Sequence, residues 1–101
     1  MKVHRIFCGL QSSQLDEEQT EILVRDLAMK HFANGHTIYE AEGRWKGALV
    51  ECNERTLIVE VWEVSGFGQP QIGKFALDYK DGAFQESVVI ISTEAEAVVI
   101  S

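Results

Sequence analysis

Two stretches of helical spacing, set among runs that alternate in the manner of strands, restrict this chain more than any other feature. Leu15, Ile22 and Met29 recur at sevens, with Leu23, Leu27 and Ala28 beside them. That is an apolar stripe at helical period. Ser13 stands where a cap is needed, and Asp16, Glu17 and Glu18 follow in a first turn whose dipole favours negative charge. Asn34-Gly35 predicts a left-handed end to this helix. The second stripe, Ile72, Phe75, Ala76 and Tyr79, falls at i, i+3, i+4 and i+7. Pro70 is placed to start that helix and Asp81-Gly82 to end it. Strand-type runs occupy residues 3–10, 37–42 and 57–64, with a buried strand expected over 87–92. Residues 93–95 read as a turn and 97–100 as a last strand pairing back.

The order β-α-β-β-α-β-β predicts an α+β fold. Its expected architecture is the ferredoxin-like split βαβ sandwich: a four- to five-stranded antiparallel sheet with both helices on one face. The other face, carrying Ile58 and Trp62, would stay open, and an apolar open face predicts a homo-oligomer. A length of 101 residues with no linker or repeat fits one domain over 1–101. Apolar residues make up 46% and charged residues 25%, the balance of a packed globular chain. No apolar run approaches the roughly 20 residues that span a bilayer, so no membrane partner is expected. The basic start at residues 1–5 is followed by too short an apolar stretch for a signal peptide, which predicts a cytoplasmic protein. Cys8 and Cys52 lie in no C-x-x-C pattern; buried free thiols are expected, with a disulfide as the alternative. His4, His31 and His36 form no ligand cluster, so neither a metal nor a cofactor is called for. Nine basic against 16 acidic residues give a net charge of −7. That balance excludes a nucleic-acid partner, which needs a basic stripe. It suits a cationic ligand, a basic protein surface or plain solubility.

Functional groups are densest over residues 43–56, read as a glycine-flanked loop leading into the strand at 57–64. Trp45 can stack on a flat ligand or sit over a cation, or it can pin the loop to the core. Glu51 and Glu54 can bind an ammonium or sulfonium group, or serve in proton transfer if burial raises a pKa; otherwise they are solvated surface charges. Arg44 and Arg55 either neutralise these acids or grip a substrate carboxylate. Tyr39 can lend a hydroxyl to a pocket. Gln85, entering the next strand, can cap the sheet or hydrogen-bond across a subunit boundary. Gly66-Phe67-Gly68 lacks the lysine and spacing of a phosphate loop and reads as a flap.

The order of local motifs resembles a small uncharacterised bacterial family of ferredoxin-like domains. The pieces are Phe32-Ala33-Asn34-Gly35-His36-Thr37, Ala41-Glu42-Gly43-Arg44-Trp45, Glu54-Arg55-Thr56 and Tyr79-Lys80 with Phe84-Gln85-Glu86-Ser87-Val88. The same order is similar to the bacteriophage S-adenosylmethionine lyases, through Trp45-Lys46-Gly47, Glu54-Arg55-Thr56 and Gln85-Glu86-Ser87-Val88. The aromatic is Trp where those enzymes typically show Tyr, and Tyr39 is the nearby hydroxyl. This resemblance implies cleavage of S-adenosylmethionine to methylthioadenosine and homoserine lactone, without water, in a site between subunits of a trimer. Glu54 or Glu51 would be the catalytic acid holding the substrate ammonium. Trp45, Tyr39, Arg44 and Gln85 would line the substrate site. The alternative is a non-catalytic oligomeric binding module, such as a phage protein that blocks a basic host protein.

Overall fold

The computed structural model describes residues 1–46, 51–64, 69–96 and 100, the side chains of 45, 46, 51 and 52 excepted. The elements run β1 (Lys2–Gly9), α1 (Glu17–His31), β2 (Thr37–Lys46), β3 (Glu51–Glu63), α2 (Ile72–Gly82) and β4 (Val89–Glu94). The strands form one sheet in the order β2-β3-β1-β4, every neighbouring pair antiparallel. This is the expected ferredoxin-like α+β arrangement. The expected fifth strand, at 97–100, lies largely outside the described residues.

Strand alternation builds the core. Ile6 and Cys8 of β1 stand opposite Val59 and Leu57 of β3, and all four are buried. Against this face pack Val24, Ala28 and Phe32 of the α1 segment and Phe75 and Tyr79 of α2. Burial pushes the Cys8 thiol up to about 12, so this free cysteine is inert. The second helix buries the predicted stripe of Phe75, Ala76 and Tyr79. The first differs from its expected stripe: it buries Thr20, Val24 and Ala28, one residue every four, while Ile22 and Met29 are exposed. Its cap also lies later than Ser13. Asp16 Oδ1 accepts the Gln19 amide at 2.7 Å and Gln19 Oε1 accepts the Asp16 amide at 3.0 Å, a reciprocal box that satisfies two first-turn donors. The helix ends at Phe32, whose amide donates to Ala28 O, rather than in a left-handed cap at Asn34-Gly35.

Two further corrections concern strands. Residues 43–46 and 51–56 are paired backbone: β2 continues to Lys46 and β3 begins at Glu51, with Gly43 opposite Glu54 and Trp45 opposite Cys52. Tight pairing of facing residues overrides the loop-like composition. The stretch expected as a buried strand over 87–92 is an edge strand instead, from Val89 to Glu94, with every residue exposed. Among the described residues it pairs only with β1, so there the run Val89-Ile90-Ile91 has a strand neighbour on one side. Glu94 is still in the strand, where a turn over 93–95 was expected.

Candidate functional site

β1 ends at Gly9, opposite Thr56. Glu54 lies two residues along β3 from Thr56, diagonal to Gly9 on the sheet face away from the helices. Its carboxylate rests against the glycine: a Cβ at position 9 would fall 2.3 Å from Oε1 and 2.8 Å from Oε2. Glu54 Oε2 accepts the Gln11 amide at 3.0 Å. Burial raises the Glu54 pKa and the charge of Glu17 on α1 adds to the rise, while the Gln11 amide opposes both. Two groups from the α2 side fix the same piece of chain. The buried Tyr79 hydroxyl donates to Gly9 O, and Gln85 Nε2 donates to Gln11 O at 2.7 Å.

Gln85 reaches Gln11 because α2 stops abruptly. The Gln85 amide donates to Lys80 O at 2.9 Å and the Phe84 amide to Asp81 O at 3.4 Å. That is the paired pattern of a Schellman end, whose middle residue must be left-handed. Glycine usually fills that position; here it is Phe84, at φ 56° and with its ring exposed. A bulky side chain in this region carries strain.

The other predicted residues scatter. Arg44 Nε donates to Asn53 Oδ1 at 3.0 Å, across the hairpin from its own strand. The Tyr39 hydroxyl donates to Glu60 Oε1 at 3.3 Å. Glu60 also takes Arg5 Nε and Trp62 Nε1, both at 2.9 Å. The Trp62 bond, then Arg5, holds the Glu60 carboxyl below its ordinary value. Tyr39 stands opposite Ile58, four residues up β3 from Glu54, roughly 13 Å at strand rise. Arg55 turns towards α1, bonding Glu40 Oε1 at 2.6 Å and Glu21 Oε1 at 3.4 Å. It neutralises those acids rather than Glu54. The side chains of Trp45 and Glu51 lie outside the described residues.

The strand end thus brings together Glu54 and Gln85, and adds Gly9, Gln11 and Tyr79, which sequence reasoning missed. A glycine closing an apolar strand was the available signal, since it marks close approach by another group. Chemically, the arrangement offers an oriented carboxyl whose Oε2 is engaged by a backbone amide. It suits recognition of a cation. Among the described residues no three His, Cys, Asp or Glu side chains gather to hold a metal. A cleft of about 800 Å³ lies at the opposite end of β3, walled by Phe32, His36, Trp62 and Pro70. It contains none of the site residues expected from the sequence. No helix among the described residues is long and apolar enough to cross a membrane.

The fold is similar to that of solved phage S-adenosylmethionine lyases. One such lyase, solved in complex with S-methyl-5'-thioadenosine, matches with a TM-score of 0.72 at 16% identity, over 92% of this chain and 80% of that one. A phage lyase in the apo state matches with a TM-score of 0.61 at 14% identity, over 91% and 78%. At such identities the likeness is one of fold. The chain belongs to the family DUF3574, described as a protein of unknown function, whose model matches residues 4–98. No curated protein matches it.

Proposed function

We propose that the chain is an S-adenosylmethionine lyase, with its site at the Glu54 end of the open sheet face and closed by a second copy in a homotrimer. The observation that carries this reading is the Glu54 carboxylate held by the Gln11 amide, with Gln85 bonding the Gln11 carbonyl, on a fold shared with lyases, one of them solved with a thioadenosine ligand. In this reaction the substrate carboxylate oxygen attacks the carbon next to the sulfonium. The carbon–sulfur bond breaks and its electron pair passes to sulfur, giving neutral methylthioadenosine and homoserine lactone. No proton, metal or nucleophilic side chain is needed; the protein must hold the substrate folded so that oxygen and carbon align. Glu54 holds the ammonium group, with Glu51 as the second acid of the same hairpin. Trp45 and Tyr39 supply aromatic surface, Arg44 steadies the carboxylate and Gln85 fixes the strand end. Because Tyr39 sits a strand's length from Glu54, it serves the site of a neighbouring copy. Charge cancels as the reaction proceeds, so a site dried by subunit contact favours it.

The test is incubation of the purified protein with S-adenosylmethionine and chromatography of the products. Methylthioadenosine and homoserine lactone are expected, with at least a hundredfold loss in Glu54→Gln. Absence of methylthioadenosine from the wild-type reaction refutes the reading.

A further inference from the structure

We infer that Gly9 is a positioning residue: the space left by its missing side chain is the seat that holds the Glu54 carboxylate against the Gln11 amide. The inference rests on Glu54 being the working acid, but the seat itself is a property of the free protein.

Glycine is used for two reasons, unusual backbone angles or lack of room. No left-handed φ is recorded at Gly9, whereas Gly35 stands at φ 157°. Room is therefore the constraint, and the three atoms nearest an added Cβ all belong to the Glu54 carboxyl group, at 2.3, 2.6 and 2.8 Å. No backbone atom is among them. A methyl at position 9 would therefore expel a flexible side-chain end and leave the strand in place. The seat is held from several directions. Tyr79 on α2 bonds Gly9 O, and Gln85 bonds Gln11 O. The Gln11 amide bonds Glu54 itself. Among the described residues the charged and titratable groups near enough to act on the carboxylate through their charge are Glu17 on α1 and Tyr79 on α2; Arg55, its neighbour on β3, turns away to Glu40 and Glu21. Glu54 is thus oriented by shape and one backbone donor, with no cation beside it among the described residues. A cationic ligand would find it unneutralised.

The measurement is a pH titration of the backbone amides by NMR, on the free protein. In the wild type the Gln11 amide resonance should move with pH as Glu54 titrates, and in Glu54→Gln that movement should vanish. In Gly9→Ala the fold should persist, while the Gln11 titration falls to less than half its wild-type amplitude. If Gln11 titrates in Gly9→Ala as in the wild type, the inference is overturned. Should Gly9→Ala fail to fold, the pair Gly9→Ala/Glu54→Ala decides. Recovery of a folded spectrum when the carboxylate is absent supports the seat; continued failure to fold overturns it. No substrate enters these measurements, so a protein without lyase activity can still show the seat, and an active lyase can lack it.

Discussion

Glu54 is a carboxylate drawn partly out of water with no basic partner among the described residues, and such a group weakens the fold in its charged form. Its pKa is raised in the folded state, chiefly by burial. The folded protein therefore binds the proton more tightly than the unfolded chain does. Stability from this residue is greatest at acid pH and is lost as pH rises through the folded-state pKa. Glu54→Gln keeps an oxygen able to accept the Gln11 amide and removes the charge. We expect this variant to melt at a higher temperature than wild type at neutral pH, with the gain vanishing as pH falls below the unfolded glutamate pKa of about 4.3. Thermal melts across pH check this; a variant less stable at neutral pH would contradict it. Such a gain on neutralisation, joined to a loss of the proposed lyase activity in the same variant, would be the usual trade between site chemistry and folding.

The end of α2 holds a second local cost. Phe84 occupies the left-handed position of a Schellman turn at φ 56° while its ring is exposed. Replacing it by glycine removes a penalty of about 1–2 kcal/mol and adds back some chain entropy. Phe84→Gly should therefore stabilise the protein by about 0.5–1 kcal/mol in urea unfolding; a loss would mean that the ring is held by contacts of its own. At this scale the sequence was uneven in what it disclosed. α2 was readable because Ile72, Phe75, Ala76 and Tyr79 mark a single packing face. α1 was found, but its buried face was misplaced, since Thr20 packs inward through a hydroxyl that bonds Asp16 O at 2.8 Å. The hairpin arms were hidden by Gly43, Arg44 and Asn53, residues of loop-like character that pairing nonetheless accommodates. β4 looked buried because an edge strand can be as apolar as a central one. The acid at Glu54 was visible in the sequence. Its seat was not, because Gly9, Gln11, Tyr79 and Gln85 meet it only through the register of β1 with β3 and the turn after α2.

Over the whole molecule the helices cover one face of the sheet and leave Trp62, Val89 and Ile91 exposed on the other side or at its edge. Apolar surface of this kind is normally covered. The purified protein should scatter light as a multiple of the 11.3 kDa chain, with three copies favoured. Ile91→Lys, placed beside Arg5 in the register, should dissociate it. A single-chain mass for the wild type would contradict the assembly. One feature at this scale reaches beyond the sheet. β1 pairs with β3 from Thr56 onward and the Leu10 amide still reaches Arg55 O, so among the described residues the pairs from Gly43–Glu54 to Lys46–Glu51 form a two-stranded ribbon beyond the β1 ladder. Such a ribbon can grow or shrink without touching the core. Adding one matched pair to each arm would extend its tip by about 3.3 Å. A single unmatched residue would instead turn every side chain beyond it to the opposite side. Relatives that differ in the length of this ribbon by matched pairs would keep the same packed body and place their tips at different distances from it.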